Sequence, residues 1–411
     1  MNSTSTPAAP VLPNHTTRIA RIDALRGLAV FGILLVNLWS YTWGYESLRY
    51  GILPPDASLF DVAAIAFTAF FAEQKFYPIF AFLFGASAML IAQSIHARTG
   101  RWSEAQRLYK RRLWWLLACG VLHGALIWFG DILTLYALVA FWVLLGMIGA
   151  RLSTLRWHLR LWSLGFVLLV GLNFWLSMQS LSVEEEYALV TAAIDNVEAA
   201  RQVYAYGNFF SIGWQRLQDY VAVTTQSVLI VPHVATLFLL GAWAVRRRWL
   251  TQPQRHRTLW RRVLWVGLLL GLPYNLFWAV LKVLEAIDPL HPWRWDFTMF
   301  SLLPIGGSLL AAAFVALFML AGDGIMRGVQ AIIAPVGRMA LSNYLMQSLL
   351  GVILFQGFGF GLGQQLRPAM WLGIAGLIML GQIIFSRLWL SRHAQGPLET
   401  LSRRFIDRNI G

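Results

Sequence analysis

The sequence predicts an all-α polytopic integral membrane helix bundle, and three observations carry that prediction. Of the 411 residues, 58% are hydrophobic and 14% aromatic while only 13% are charged, about half the charged fraction of soluble domains. Apolar runs long enough to span a bilayer recur along the chain, a span needing about 20 residues to cross roughly 30 Å of hydrocarbon. Basic residues gather at every second connection between those runs, as cytoplasmic loops require.

About ten transmembrane helices follow in order, at 24–44, 75–96, 112–129, 131–149, 159–178, 221–245, 262–285, 298–320, 335–356 and 369–390. With the N-terminus inside, connections 97–111, 150–158, 246–261 and 321–334 are cytoplasmic and carry basic residues. Connections 45–74, 179–220, 286–297 and 357–368 face outward and carry few. Both termini then lie inside. The stretch 58–72, SLFDVAAIAFTAFFA, is short and carries Asp61. Counting it as a span inverts every later connection, so it reads as an interfacial or re-entrant helix on the outer side.

Segment 182–220 carries Glu184, Glu185, Glu186, Asp195 and Glu198 among helix-forming residues, and reads as one or two amphipathic helices outside the membrane. The chain divides accordingly into a disordered tail 1–20, a transmembrane part 21–178, a periplasmic helical segment 179–220, a second transmembrane part 221–391 and a basic tail 392–411.

The formal charge of +14 in a soluble protein would point to nucleic acid. Here the basic residues flank apolar runs, as at Arg18, Arg21 and Arg26, at Arg107 to Arg112 and at Arg246 to Arg248. The basicity is topological, and no nucleic-acid partner is expected. The single cysteine, Cys119, lies within an apolar run and excludes a disulfide framework. Eight histidines are scattered with none paired at ligand spacing, so neither a metal nor a resident cofactor is expected. A phosphate-binding glycine loop and an HExxH motif are both absent from the sequence.

Polar groups at membrane depth are costly and are the default candidates for function. The richest cluster is HGALIWFGDILTLYA, from His123 to Ala137. His123 in the outer half of one helix suits a general base, with Asp131 at the outer turn orienting base or substrate. The competing account has His123 bonded to a neighbouring carbonyl and Asp131 capping the helix from Ile132. Eight residues of helix would set the two about 12 Å apart, so contact needs a bend or a bridging group. Lys75, in AEQKFYPIFAFLFG, falls at the level of Asp131 and suits an ion pair with it or a snorkelling role. Asn37 suits an oxyanion or substrate contact, or an interhelical bond. His233 follows Pro232 and suits either a polar tunnel or the local groups that proline frees. At the cytoplasmic face Arg21, Asp23 and Arg26 precede the first helix, and Arg338 opens the helix carrying Asn343, Tyr344 and Gln347 as one polar stripe. Arginines there suit donor phosphates, lipid headgroups or topology alone.

Five segments carry a resemblance: RIDALRGLAVFGILLVN, KFYPIFAFLFGA, GDILTLYAL, VGRMALSNYLMQS and GPLE, the last from Gly396 to Glu399. In this order they resemble the YeiB-like family of bacterial inner-membrane proteins over nearly the whole chain. That family in turn resembles the transmembrane acyltransferase superfamily, which includes heparan-α-glucosaminide N-acetyltransferase and bacterial O-acyltransferases. The resemblance implies transfer of an acyl group from cytoplasmic acyl-CoA, acetyl-CoA included, across a bacterial inner membrane. Arg21, Asp23, Arg26 and Asn37 match the first-helix signature of those relatives. The relatives' catalytic histidine has no counterpart in the first outer loop, LWSYTWGYESLRYGILPP, which leaves His123 as base.

The function expected is therefore a membrane acyltransferase with His123, Asp131 and Asn37 at its centre. Arg21, Arg26, Lys75, His233, Arg338, Asn343, Tyr344 and Gln347 are expected along the donor and substrate path. A transporter or flippase of a small metabolite or lipid is the alternative, and a non-catalytic membrane partner protein a third. The expected partners are the lipid bilayer and a small-molecule, glycan or lipid acceptor, with a homodimer as a further option.

Overall fold

A computed structural model describes residues 16–44, 49–179, 182–288, 294–321 and 325–407. Among them there are helices and no strand. In chain order these are α1 (Thr16–Trp43), α2 (Leu59–Phe67), α3 (Phe76–Thr99), α4 (Trp102–Leu126), α5 (Leu133–Val139), α6 (Leu152–Ser177), α7 (Val183–Tyr206), α8 (Phe209–Gln226) and α9 (Val231–Arg246). There follow α10 (Arg257–Val266), α11 (Leu272–Ile287), α12 (Arg294–Leu320), α13 (Ile325–Arg338), α14 (Ala340–Phe355), α15 (Leu362–Gln365), α16 (Pro368–Arg392) and α17 (Pro397–Asp407).

The protein is a polytopic all-α bundle. Among the described residues seven helical segments are long and apolar enough to cross a membrane: Ala20–Trp43, Leu59–Thr99, Leu152–Ser177, Phe209–Arg246, Pro253–Ile287, Asp296–Leu320 and Pro368–Arg392. The other three expected spans fall on α4, whose first half is strongly basic, and on the shorter apolar helices Leu133–Met147 and Ala340–Phe355. The expected span at 335–356 is divided at Met339, so Arg338 closes α13 rather than opening the helix that carries Tyr344.

The chain ends differ from the expected tails. Residues 16–20 already belong to α1, and 1–15 lie outside the described residues. Within the expected basic tail, α17 packs on α4 and α14. Its Glu399 accepts from the backbone N–H groups of Leu341 (2.9 Å) and Ser342 (3.2 Å). These are orphan donors of the first turn of α14, so the GPLE motif serves as a helix cap.

Long-range contacts assign the helix ends to two faces. At the near face, where α1 begins, Arg21 reaches the Met319 carbonyl (3.5 Å), Gln106 that of Ile148 (2.9 Å) and Arg246 that of Ala150 (3.1 Å). At the far face Arg367 pairs with Asp56 (2.5 Å), Leu53 N–H donates to Ala286 O (2.8 Å) and Arg201 donates to Gln364 (2.6 Å).

Two helix pairs approach backbone to backbone through glycine. A Cβ on Gly337 of α13 would stand 1.8 Å from the Asp23 carbonyl oxygen of α1. Between α3 and α9, a Cβ on Gly85 or Gly241 would stand 1.9 Å from the opposing carbonyls of Phe238 and Phe82. Small residues at such crossings replace the hydrophobic drive that lipid removes.

Segment 58–72 begins as a helix and widens into a π turn over Thr68–Ala72. The chain then breaks at 73–75, where Gln74 has φ 60°, before α3. Asp61 is buried because it serves two helix ends. It closes a capping box with Ser58, and it accepts from the Ala369 N–H (3.1 Å) at the start of α16. The outer segment resolves into α7 and α8. Ser182 caps α7, and its backbone and hydroxyl donors hold the Glu185 carboxyl below the usual carboxylate range.

Substituting Gly85→Leu drives a side chain into a backbone that cannot retreat, so the variant is expected to lose at least about 2 kcal/mol. Size-exclusion and thermal unfolding in detergent should show loss of the monodisperse folded species, whereas Gly146→Leu, at an open position, should behave as wild type.

Candidate functional site

The α4–α5 hairpin places the central pair. Helix α4 ends at Leu126, and the helical run from Leu133 to Met147 is short, about 22 Å at about 1.5 Å per residue. The tip of the hairpin is covered by α8. Arg216 Nε donates to the Ala125 carbonyl (3.1 Å), and its Nη1 reaches that of Ile127 (3.5 Å). These are carbonyls at the end of α4 that have no helical partner. The Tyr220 hydroxyl meets Thr134 Oγ1 at 3.0 Å.

Within this tip His123 Nδ1 meets Asp131 Oδ1 at 2.9 Å, with side chains 1% and 0% exposed. The 12 Å separation expected for a continuous helix is closed because residues 127–132 turn back and Asp131 folds onto the side of α4. Gly120 makes room for that return: a Cβ there would stand 2.7 Å from Asp131 Oδ2. Asp131 Oδ2 also accepts from the Thr134 N–H (2.8 Å). The carboxylate thus caps α5 and orients the histidine at once, uniting two readings that the sequence set against each other.

With the carboxylate as acceptor Nδ1 carries the proton, and in the neutral ring the Nε2 lone pair is then free. His123 Nε2 is buried with no hydrogen-bond partner among the described residues. The Tyr344 ring stands 5.1 Å from the imidazole and the Trp128 ring 6.2 Å.

The remaining candidates separate. Tyr344 faces His123, its hydroxyl donating to the Gly130 carbonyl at 3.3 Å. Asn343 and Gln347 face the other way and tie α14 to α16 through Ser386 (3.0 Å) and Gln382 (2.7 Å). The single stripe expected from the sequence is therefore two faces. Lys75 does not pair with Asp131. Fully buried, it donates to the Ala69 carbonyl (2.7 Å) at the π turn. His233 links three helices, through the Tyr77 hydroxyl on α3 (2.5 Å) and Ser308 Oγ on α12 (2.9 Å). Asn37 is half-buried and makes no side-chain hydrogen bond among the described residues. Arg26 binds Asp23 (2.6 Å) and Ser87 (2.5 Å), and exposed Arg338 donates to the Ala394 carbonyl (3.1 Å). No group of three His, Cys, Asp or Glu among the described residues could hold a metal ion.

Sequence reasoning missed a second polar centre beside the 73–75 break. Buried Glu73 accepts from the Tyr50 hydroxyl (2.8 Å) and the Trp278 indole (2.9 Å), and Arg49 lies 3.2 Å away. Lys282, stacked on Trp278, binds Glu285 (2.8 Å) and Asp296 (3.2 Å). Glu73 was visible as a charge at a span boundary. Its partners Arg49 and Tyr50 lie earlier in the same connection and Trp278 in a distant apolar run, and nothing in the sequence joined them.

The chain is 28% identical to the uncharacterized protein YeiB of Escherichia coli (strain K12) over 415 residues, covering 96% of this chain and 97% of that protein. With the uncharacterized protein YxaH of Bacillus subtilis (strain 168) it shares 32% identity over 410 residues, 96% and 95% of the two chains. The chain belongs to the YeiB-like family. Residues 244–409 match the family model described as Protein of unknown function (DUF418). A 39.9 kDa protein encoded in the amylase 3' region of Bacillus acidopullulyticus is 26% identical over 390 residues, 94% of this chain and 93% of that one. No solved structure matches the chain. The resemblance read from the five segments is therefore borne out at family level. In this YeiB-like chain the family-model region supplies Tyr344 and the Glu399 cap, while the His123–Asp131 hairpin lies ahead of it.

Asp131→Ala removes the partner of His123 and the cap of α5 together. A double-mutant cycle with His123→Ala, followed by unfolding in detergent, is expected to give a coupling of about 1–2 kcal/mol. Additive losses would mean that the pair is not formed.

Proposed function

We propose that this chain is a membrane-embedded acyltransferase that moves an acyl group from cytoplasmic acyl-CoA to an acceptor at the opposite face. The observation that carries this reading is the buried imidazole of His123, anchored at Nδ1 by a carboxylate and without a partner at Nε2. That arrangement suits a general base, which must hold one tautomer and keep one nitrogen for the reacting proton.

The near face is taken as cytoplasmic because its connections carry the clustered arginines. Arg26 pairs with Asp23 at 2.6 Å, and Arg338 and Arg112 lie within electrostatic range of that pair. This cluster suits the phosphates of a nucleotide-type donor. Arg112 and His123 stand eleven positions apart on α4, about 16 Å of helix, comparable with the reach of a pantetheine arm. Asn37 would meet the thioester or the acceptor. Lys75, His233, Asn343 and Gln347 hold the bundle together around this path.

Transport of a small metabolite or lipid is the second reading. It is favoured by the helix break at 73–75, where Lys75 is buried beside irregular backbone, a feature of many transporter binding sites.

The first test is thermal shift of the detergent-purified protein with acetyl-CoA and longer acyl-CoAs, with free CoA and Arg338→Ala as controls. Stabilisation that rises with acyl-CoA concentration and is lost in Arg338→Ala is expected. No shift with any acyl-CoA would overturn the acyltransferase reading and favour transport.

A further inference from the structure

We infer that Trp128 and Tyr41 are the oxyanion donors of this site, the indole N–H and the phenol O–H receiving the thioester carbonyl oxygen while His123 Nε2 takes the acceptor's proton. The inference rests on the acyl-transfer reading above and adds two catalytic residues to it.

Three neighbouring buried side chains each carry a polar atom without a hydrogen-bond partner among the described residues: Trp128 Nε1, Tyr41 Oη and His123 Nε2. The Trp128 ring centroid lies 5.1 Å from that of Tyr41 and 6.2 Å from that of His123. Trp128 is 3% exposed and Tyr41 0%. A buried group left unpaired costs about 1–3 kcal/mol, and a carbonyl oxygen bound beside His123 would satisfy the Trp128 and Tyr41 donors. An indole N–H donates only, and cannot serve as a base.

Both donors are also held rigidly, as electrostatic stabilisation of a developing charge requires. The Trp128 backbone N–H donates to the His123 carbonyl at 2.9 Å. Its ring fills the space at Gly130, where a Cβ would come within 2.0 Å of it. Tyr41 is wedged against Gly351, where a Cβ would stand 2.2 Å from its ring, and against Phe355. Its hydroxyl faces Ser348 without a hydrogen bond of normal geometry.

The acceptor O–H or N–H gives its proton to His123 Nε2, and the acceptor atom bonds to the thioester carbon. The C=O π pair moves to oxygen, which Trp128 and Tyr41 hold. Collapse of the adduct re-forms C=O and breaks the C–S bond. The CoA sulfur leaves with the proton from the imidazolium, giving acylated acceptor and free thiol.

The test uses full-length protein in detergent, acetyl-CoA as donor and hydroxylamine as a generic acceptor, with thiol release as readout. Trp128→Phe and Tyr41→Phe are each expected to lower kcat about 100-fold with KM for acetyl-CoA within about 3-fold of wild type. Trp128→His keeps an N–H donor, and is expected to recover part of the loss if Trp128→Phe folds poorly. Wild-type kcat in both Phe variants, beside an inactive His123→Gln, would overturn the donor assignment and leave the acyl-transfer reading standing. A raised KM with unchanged kcat would also overturn it, since the two groups would then bind the ground state only. No turnover by wild type, or full turnover by His123→Gln, would overturn the acyl-transfer reading and this inference with it.

Discussion

The contact between His123 and Asp131 is the constraint on which the rest of the candidate site depends. It requires α4 to stop at Leu126, the chain to turn back within six residues, 127–132, and Asp131 to lie against α4 where Gly120 leaves room. A helix end inside a bundle has carbonyls with no helical partner, and Arg216 from α8 supplies donors for two of them. The outer helices are therefore part of the site's construction. Without α8 above it, the hairpin tip would expose backbone to an apolar surrounding, where unpaired groups are expensive.

Around the hairpin the bundle is held by close backbone approach at glycine and by caps from distant segments. Gly27 and Gly337 bring α13 against α1, and Glu399 closes the first turn of α14. Because α14 carries Tyr344 toward His123 and Asn343 with Gln347 toward α16, one helix couples the His123–Asp131 hairpin to the lateral packing of the bundle. Asp61 plays a similar part at the far face, serving two helix starts with a single carboxylate.

How far the sequence was legible follows from the range of each interaction. Span-length apolar runs and alternating basic connections are local signals, so the helical bundle and most helix positions could be read directly. His123 and Asp131 were visible as polar residues at depth, yet their contact was not, because it depends on where α4 stops and on the space at Gly120. The Lys75–Asp131 pairing failed for the same reason: matching levels along two helices do not specify which faces meet. Glu73 with Tyr50 and Trp278, and Arg216 with the hairpin carbonyls, join segments far apart in sequence and leave no periodic trace. Trp128 and Tyr41 carried no signal in the sequence, because what sets them apart is their packing beside His123 and each other.

The most direct test of the central claim is the tautomer of His123. In protein labelled with nitrogen-15 at its eight histidines, with His123→Gln used for assignment, the His123 resonances at neutral pH should be those of an imidazole protonated at Nδ1, with an unprotonated Nε2. Asp131→Asn should abolish that pattern. An Nε2-protonated ring, or a spectrum indifferent to Asp131→Asn, would contradict the account.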